Sequence, residues 1–230
     1  MDVPFDPERV QMLSFDVFGT LISVRDSSYG AFRRILEAAN ARHIDVKRFW
    51  EVWEEHNIKA YRLPYRPYKT ICEESLAATF QAFGVDGRPE TISWYFDAFT
   101  SFELYPDVVE TLDLLSRRFR LAIVSNIDDD LLAATPLRRS FDLVCTAERA
   151  RGYKPDGTLF RYLLASAALD RAHILHSGQS QFTDMVGAKP LGLTVAWINR
   201  RGVPLSPDVP APDFQYPDVR SLLTLLRVSS

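Results

Sequence analysis

The run Met12-Leu-Ser-Phe-Asp-Val-Phe-Gly-Thr20 begins as a short apolar strand over 12–17 and carries a carboxylate, Asp16, at its end. Gly19 and Thr20 mark a turn directly behind it. From about 27 to 100 the chain reads as helix throughout. Ala31, Ile35, Leu36 and Ala39 recur at helical spacing, as do Phe49, Trp50 and Trp53, then Ile71, Leu76, Phe80 and Phe83. Gly84 is a helix stop, and a new helix starts near Pro89. Past Pro106 the pattern changes to an alternation. A helix on Val108, Leu112 and Leu115 precedes a buried strand at 120–126. Helix 129–137, strand 141–145, helix 156–168, strand 173–177, helix 182–190 and strand 193–198 follow. Residues 203–217 hold five of the fourteen prolines and read as an irregular surface loop, before a closing helix over 218–227.

Alternating strands and helices imply a parallel sheet covered on both faces. The fold expected is therefore α/β: a doubly wound, Rossmann-like parallel sheet core with an inserted helical cap domain. Residues 1–22 and 106–230 form the core and 23–105 the cap. Ligands of such sheets bind at the carboxyl ends of the strands, so an insertion leaving from the end of the first strand sits over the site as a lid.

Composition narrows the function. The 230 residues are 47% hydrophobic and 25% charged, which excludes a disordered chain, and that length buries about 70% of the unfolded surface without staples. The net charge of −3 makes nucleic acid a poor partner. The N-terminal residues lack the pattern of a secretory signal, and no apolar run reaches bilayer length. Cys72 and Cys145 lie in a helix and a strand far apart in sequence, which speaks against a disulfide framework and against a zinc site. The expectation is a cytoplasmic protein that binds a small molecule and neither nucleic acid nor membrane, with a homodimer as a candidate assembly. His43, His56, His173 and His176 show no metal-ligand spacing, and the last two read as strand residues. Asp128-Asp129-Asp130 reads as a helix N-terminus, where negative charge is favoured.

Four polar groups fall at the ends of core elements. They are Asp16 in Asp16-Val-Phe-Gly-Thr20, Ser125-Asn126, Lys154-Pro155, and Asp184 in Ser177-Gly-Gln-Ser-Gln-Phe-Thr-Asp184. Each alone is ordinary turn or cap chemistry. Together they suit nucleophilic catalysis, in which a positioned carboxylate is kept ionised by a neighbouring ammonium.

This set resembles the haloacid dehalogenase superfamily of hydrolases, in its helical-cap subclass, and most closely the 2-haloacid dehalogenase (type II) group. FDVFGTL (15–21) matches the first motif, VSN (124–126) the second, Lys154 in GYKPD the third, and Asp184 in the stretch through GAK (187–189) the fourth. The resemblance implies an aspartyl-ester mechanism: hydrolytic dehalogenation of a short 2-haloalkanoic acid to the 2-hydroxy acid. It makes Asp16, Lys154 and Asp184 the catalytic residues, with Asp16 as nucleophile. It makes Phe18, Thr20, Ser125, Asn126, Glu54, Gln179, Ser180 and Gln181 the residues around the substrate.

Departures from the family sharpen the expectation. Phosphatases of the superfamily place a second acid where Phe18 stands, to protonate the leaving alkoxide; a halide needs no proton. Gln179 replaces one of the two acids that help those phosphatases hold magnesium, so neither metal nor cofactor is expected. The dehalogenases carry Arg after a cap Trp, where this chain has Trp53-Glu54. Arg62, Arg66, Lys69 or His56 are candidates to restore that charge. Phe160 stands where the family has Tyr, and Gln179 and Gln181 stand for Ser and Asn. Of the cap aromatics Phe49, Trp50, Trp53, Tyr61, Tyr65 and Tyr68, one or two are expected in the pocket. The alternatives are hydrolysis of a small cyclic amino acid of the azetidine-2-carboxylate type, or a degenerate phosphatase.

Overall fold

The computed structural model describes residues 5–229. Met12–Phe15 forms β1, four wholly buried residues. A short ribbon strand β2 (Ile22–Ser23) leads into the helices α1 (Arg25–Ala38), α2 (Val46–Ala60), α3 (Tyr68–Ala82) and α4 (Ser93–Asp97). The ribbon closes on β3 (Glu103–Leu104), which pairs antiparallel with β2. The chain then continues through α5 (Val108–Leu115), β4 (Arg120–Ser125), α6 (Asp129–Ala134), β5 (Leu143–Thr146), α7 (Ala147–Ala150) and α8 (Thr158–Ala167). It ends with β6 (Ile174–Gly178), α9 (Val186–Ala188), β7 (Thr194–Ile198), β8 (Phe214–Tyr216) and α10 (Ser221–Leu225).

Six strands make one parallel sheet in the order β5-β4-β1-β6-β7-β8. This is the doubly wound architecture that the alternation predicts. The order places β4 and β6 on opposite sides of β1, so the connections diverge there and the carboxyl end of β1 is the switch point. The strands alternate their side chains. Leu13, Phe15, Leu121, Ile123, Leu175 and Ile198 join an apolar cluster with α5 and α10 that runs on into the cap. Met12, Ala122, Val124, Ile174, Val195 and Trp197 pack against Leu159, Phe160 and Leu163 of α8 on the other face. Burial on both faces is why these strands read as nearly continuous apolar runs.

The cap is held by aromatic packing. The Phe32 ring lies 4.9 Å from Trp53 and 5.7 Å from Tyr95, and Phe49 lies 5.6 Å from Phe80. Trp53 also donates its indole N–H to Cys72 O at 3.1 Å, tying α2 to α3.

Several elements differ from the sequence reading. The proline-rich segment 203–217 is not wholly irregular: the proline-free triplet Phe214–Tyr216 adds an edge strand beside β7, where missing amide donors on its flanks are tolerated. The helix expected over 182–190 is instead a five-residue π-turn, Gln181–Met185, followed by α9 and a 3-10 turn containing Pro190. α6 stops at Ala134 because Pro136 follows. His173 closes a 3-10 turn ahead of β6 rather than lying in the strand. Among the described residues, no helix is long and apolar enough to cross a membrane.

Candidate active site

Asp16 follows β1 directly, and its amide donates to Ser177 O at 2.9 Å, so the chain leaves the sheet with the carboxyl group held at the switch point. Gly19 makes the next turn possible. Its φ is +83°, and a Cβ there would sit 2.9 Å from the Gln179 side chain. The turn carries Thr20 back beneath Asp16. Its hydroxyl donates to Asp16 Oδ2 at 2.7 Å and accepts the Gln179 amide at 3.0 Å.

Lys154 occupies the centre. Its ammonium donates to Asp16 Oδ1 at 2.8 Å, to Asp184 Oδ1 at 2.7 Å and to Val124 O at 2.9 Å, and the residue is only 1% exposed. Those three acceptors use all three ammonium protons. Asn126 sets this geometry from behind: its amide donates to Lys154 O at 2.9 Å and accepts Lys154 N–H at 2.8 Å. Asp184 sits in the π-turn, with Oδ2 accepting the Ser180 amide at 3.0 Å. Gly178 makes room for it, since a Cβ there would lie 2.3 Å from Asp184 Oδ2. The Ser180 hydroxyl caps the same turn by accepting Thr183 N–H at 3.3 Å.

One ammonium serves two carboxylates, and the two respond differently. Burial raises the Asp16 pKa; Lys154 opposes that, and the Asp184 charge adds to it. Burial also penalises the Asp184 charge, but Lys154 and His176 outweigh it and pull the pKa down to about 2. Burial works against the Lys154 charge as well, yet the two carboxylates hold its pKa above the ordinary lysine value. Asp184 is therefore the carboxylate that stays ionised in the resting site, and Asp16 is the one that takes a proton first as pH falls.

A cavity of about 320 Å³ lies between this floor and the cap, and Asp16, Phe18, Ser125, Lys154, Gln179 and Ser180 line its core side. The Ser125 hydroxyl is buried without a hydrogen-bond partner. Along α2, Trp50, Trp53, Glu54, Asn57, Ile58 and Tyr61 face the cavity at helical spacing, with Tyr68 and Tyr95 from neighbouring helices. Four of the six cap aromatics singled out thus line it, more than expected, because one face of α2 forms its roof. Phe49 is in the cap core, and Tyr65 stacks on Tyr153 at the seam between cap and core.

Thr20 and Gln181 lie off the cavity, and Asn126 lines it with its side-chain amide already engaged. Thr20 does not line the cavity and is fully engaged by Asp16 and Gln179 N. The Asn126 amide is committed at both ends to the Lys154 backbone. Gln181 turns outward, donating to Pro204 O and accepting from Ser206 N, and so pins the proline-rich loop. Asp128 caps a helix, but not its own. Its two oxygens accept Tyr68 N–H at 2.9 Å and Lys69 N–H at 3.1 Å, fastening the start of α3 to the core.

Glu54, named from the sequence, lines the cavity, and burial pushes its pKa up to about 7 against the opposing pull of Arg25 and Arg201, two charges the sequence reading overlooked. Arg66 and Lys69 are paired instead with Glu74 and Asp130, and neither they nor Arg62 nor His56 line the cavity. The guanidinium groups present are Arg25, Arg200 and Arg201. Arg200 is a strut, bidentate to Asp107 at 2.9 and 3.1 Å and donating to Thr20 O at 2.8 Å. Partial burial, and then the like charge of Arg25, lower the Arg201 pKa, with Glu54 opposing. The pair Arg200-Arg201 follows the predicted strand 193–198, and the rule that ligands gather at strand ends was the available signal.

The donor set does not suit magnesium. Both Asp16 oxygens and both Asp184 oxygens already accept hydrogen bonds, and Gln179 offers a neutral amide where a third carboxylate would be needed. Among the described residues, no group of three acidic, histidine or cysteine side chains could hold an ion.

Comparison with known proteins agrees with the geometry. The family model for haloacid dehalogenase-like hydrolases matches residues 10–192. The (S)-2-haloacid dehalogenase of Pseudomonas sp. (strain YL) is 26% identical over 230 residues, covering 97% of each chain. An L-2-haloacid dehalogenase from Xanthobacter autotrophicus, solved with chloropropionic acid covalently bound, superposes with a TM-score of 0.78 at 22% identity, covering 96% of this chain and 100% of that one. YfnB of Bacillus subtilis, a HAD-hydrolase bound to magnesium, superposes at 0.81 with 18% identity, covering 96% and 100%.

Proposed function

This chain belongs to the haloacid dehalogenase-like hydrolases, and from that premise we propose that it hydrolyses a short 2-haloalkanoic acid to the 2-hydroxy acid through an ester on Asp16. The observation that carries the reading is the cavity floor. It offers a carboxylate held by Lys154 and Thr20, and an aromatic ring, Phe18, where an alkoxide leaving group would require an acid. Phe18 is instead packed against Phe99, with ring centroids 5.4 Å apart.

In the first step an Asp16 oxygen attacks C2 of the substrate. The carbon–halogen bond breaks, the halide leaves with the electron pair, and C2 inverts. The substrate carboxylate docks toward Arg25 and Arg201, with the Ser125 hydroxyl free to donate. In the second step water attacks the carbonyl carbon of the Asp16 ester. Asp184 takes a proton from the water, and the bond between that carbon and the product oxygen breaks. Whichever Asp16 oxygen remains the carbonyl keeps its donor, Lys154 or Thr20, where negative charge develops. The product alkoxide recovers the proton. Closure of the cap over the cavity excludes bulk water during both steps.

Glu54 favours a second reading of the substrate. A group with a pKa of about 7 on the cavity roof, with Arg25 and Arg201 nearby, matches a molecule that carries both an amine and a carboxylate. A small cyclic amino acid would satisfy both, with ring strain replacing halide departure. A phosphatase is disfavoured by Phe18 and by the donor set around Asp184.

A single turnover in isotopically labelled water, with enzyme in excess, tests the mechanism. Unlabelled product and label in the Asp16 side chain are expected, and Asp16→Asn is expected to be inactive. Label in the first-turnover product with none in Asp16 would mean direct attack by water.

A further inference from the structure

His176 lies outside every motif above, yet it touches the catalytic centre. It is wholly buried in β6, directly across the sheet register from Ser14 of β1. Its Nδ1 is 3.0 Å from the Ser14 hydroxyl and its Nε2 is 3.3 Å from Asp184 Oδ1. The edge of the Phe160 ring closes the remaining side, with centroids 4.8 Å apart.

In the neutral ring these contacts select one tautomer. An ionised carboxylate only accepts, so Nε2 must carry a proton to face Asp184. The neutral ring then has a lone pair on Nδ1, which the Ser14 hydroxyl satisfies by donating. Ser14 itself is buried among apolar neighbours in β1 and records no other side-chain hydrogen bond. The pair is thus a relay of two hydrogen bonds that ends on Asp184.

We propose that His176, held by Ser14 as the Nε2–H tautomer, is a positioning residue that orients Asp184 for hydrolysis of the Asp16 ester. The proposal rests on the ester mechanism above. Its logic is a change of partners. In the resting site Lys154 stands between two carboxylates. Once Asp16 is esterified its charge is gone, and Lys154 swings its full attraction to Asp184. The second donor, Nε2–H on Oδ1, and the Ser180 amide on Oδ2 together fix the rotation of the Asp184 carboxyl. The titratable and charged groups that face Asp184 are Asp16, Lys154 and His176. Removing the His176 donor therefore shifts the Asp184 proton equilibrium upward and leaves attack by Asp16 largely unaffected.

The experiment compares His176→Leu, His176→Gln and Ser14→Ala with the wild type, using a 2-haloacid under single-turnover conditions. Ester on Asp16 is followed by mass spectrometry after acid quench. In His176→Leu the ester is expected to form at nearly the wild-type rate and to disappear about tenfold or more slowly, with the acid limb of that second step moved to higher pH. His176→Gln, which can keep a donor near the Nε2 position, is expected to recover most of that loss. Ser14→Ala is expected to show a smaller effect in the same direction. Equal slowing of both steps with an unmoved pH limb, or no rescue by Gln, would reduce His176 to packing and overturn the proposal. Nitrogen NMR of His176 judges the proposal separately: for the neutral ring the expected signal is protonated Nε2 and bare Nδ1, and the opposite tautomer overturns it. A wild type that forms no ester removes the mechanism, and the NMR result still decides the state of His176.

Discussion

The two walls of the cavity are built on opposite principles. On the core side nearly every polar atom is spoken for: Lys154 uses its three protons, Asp16 and Asp184 accept on both oxygens, and Asn126 and Thr20 are occupied by backbone or carboxylate. On the cap side the polar groups are loosely committed. Among the described residues the Glu54 carboxyl accepts no hydrogen bond, Arg25 overlies Trp50 at 5.4 Å, and the buried indole N–H of Trp50 has no partner. A saturated buried network has one low-energy arrangement, and that rigidity suits a nucleophile that must be held in line. An unsaturated wall can meet different substrates without disturbing the chemistry. The division predicts that changes on the floor destroy the reaction, whereas changes on the roof redirect it.

The strongest way to break this contrast is Lys154→Met. It leaves two buried carboxylates with no counter-charge, so activity should vanish and stability should fall by about 3–5 kcal/mol in urea denaturation at neutral pH. Without the ammonium both carboxyl groups have raised pKa values in the folded state, so the lost stability should return as pH falls and they become neutral. A variant as stable and as active as the wild type would show that the buried network does not govern the site.

On the roof, Glu54→Arg should leave the fold intact, lower KM for an anionic 2-haloacid roughly tenfold, and raise it for an amine-bearing substrate. If both substrates respond alike, the roof does not read charge. A gentler version uses pH. Glu54 is neutral below about 7 and charged above it. KM for an anionic substrate should therefore rise as pH increases through that value, and Glu54→Gln should flatten the rise while leaving kcat unchanged. The smallest expected effect is that of a chelator, which should leave the rate as it was; loss of turnover restored by magnesium would return the phosphatase reading.

Much of the floor was legible in the sequence because polar groups at the ends of core elements announce themselves where an apolar run meets a turn. Asp16 and Asp184 were read after strands and Lys154 ahead of a helix, and the structure brings both carboxylates within hydrogen-bond reach of the Lys154 ammonium. His176 and Ser14 were passed over for a related reason. Each is a single polar residue inside a buried strand, and only the register that sets β1 beside β6 makes them partners. The roof was harder still. Glu54 was placed by alignment, but Arg25 and Arg201 meet it from positions 29 and 147 residues away that no local pattern links to it, Arg25 from the first turn of α1 and Arg201 from beyond β7.

By itself the sequence determined the alternation of strands and helices and the helical stretch after the first strand, because hydrophobic period and turn chemistry are local properties of a chain, and its resemblance to a family singled out Asp16, Lys154 and Asp184. Tertiary structure alone decided the sixth strand at Phe214–Tyr216, the outward turn of Gln181, the capping of α3 by Asp128, and which arginines face Glu54. Each of those depends on which side of an element a side chain leaves from and on what a distant element has already occupied. Burial then converts the arrangement into chemistry: the same ammonium leaves Asp184 ionised and Asp16 the more basic of the two, a distinction that exists only once all three are out of water.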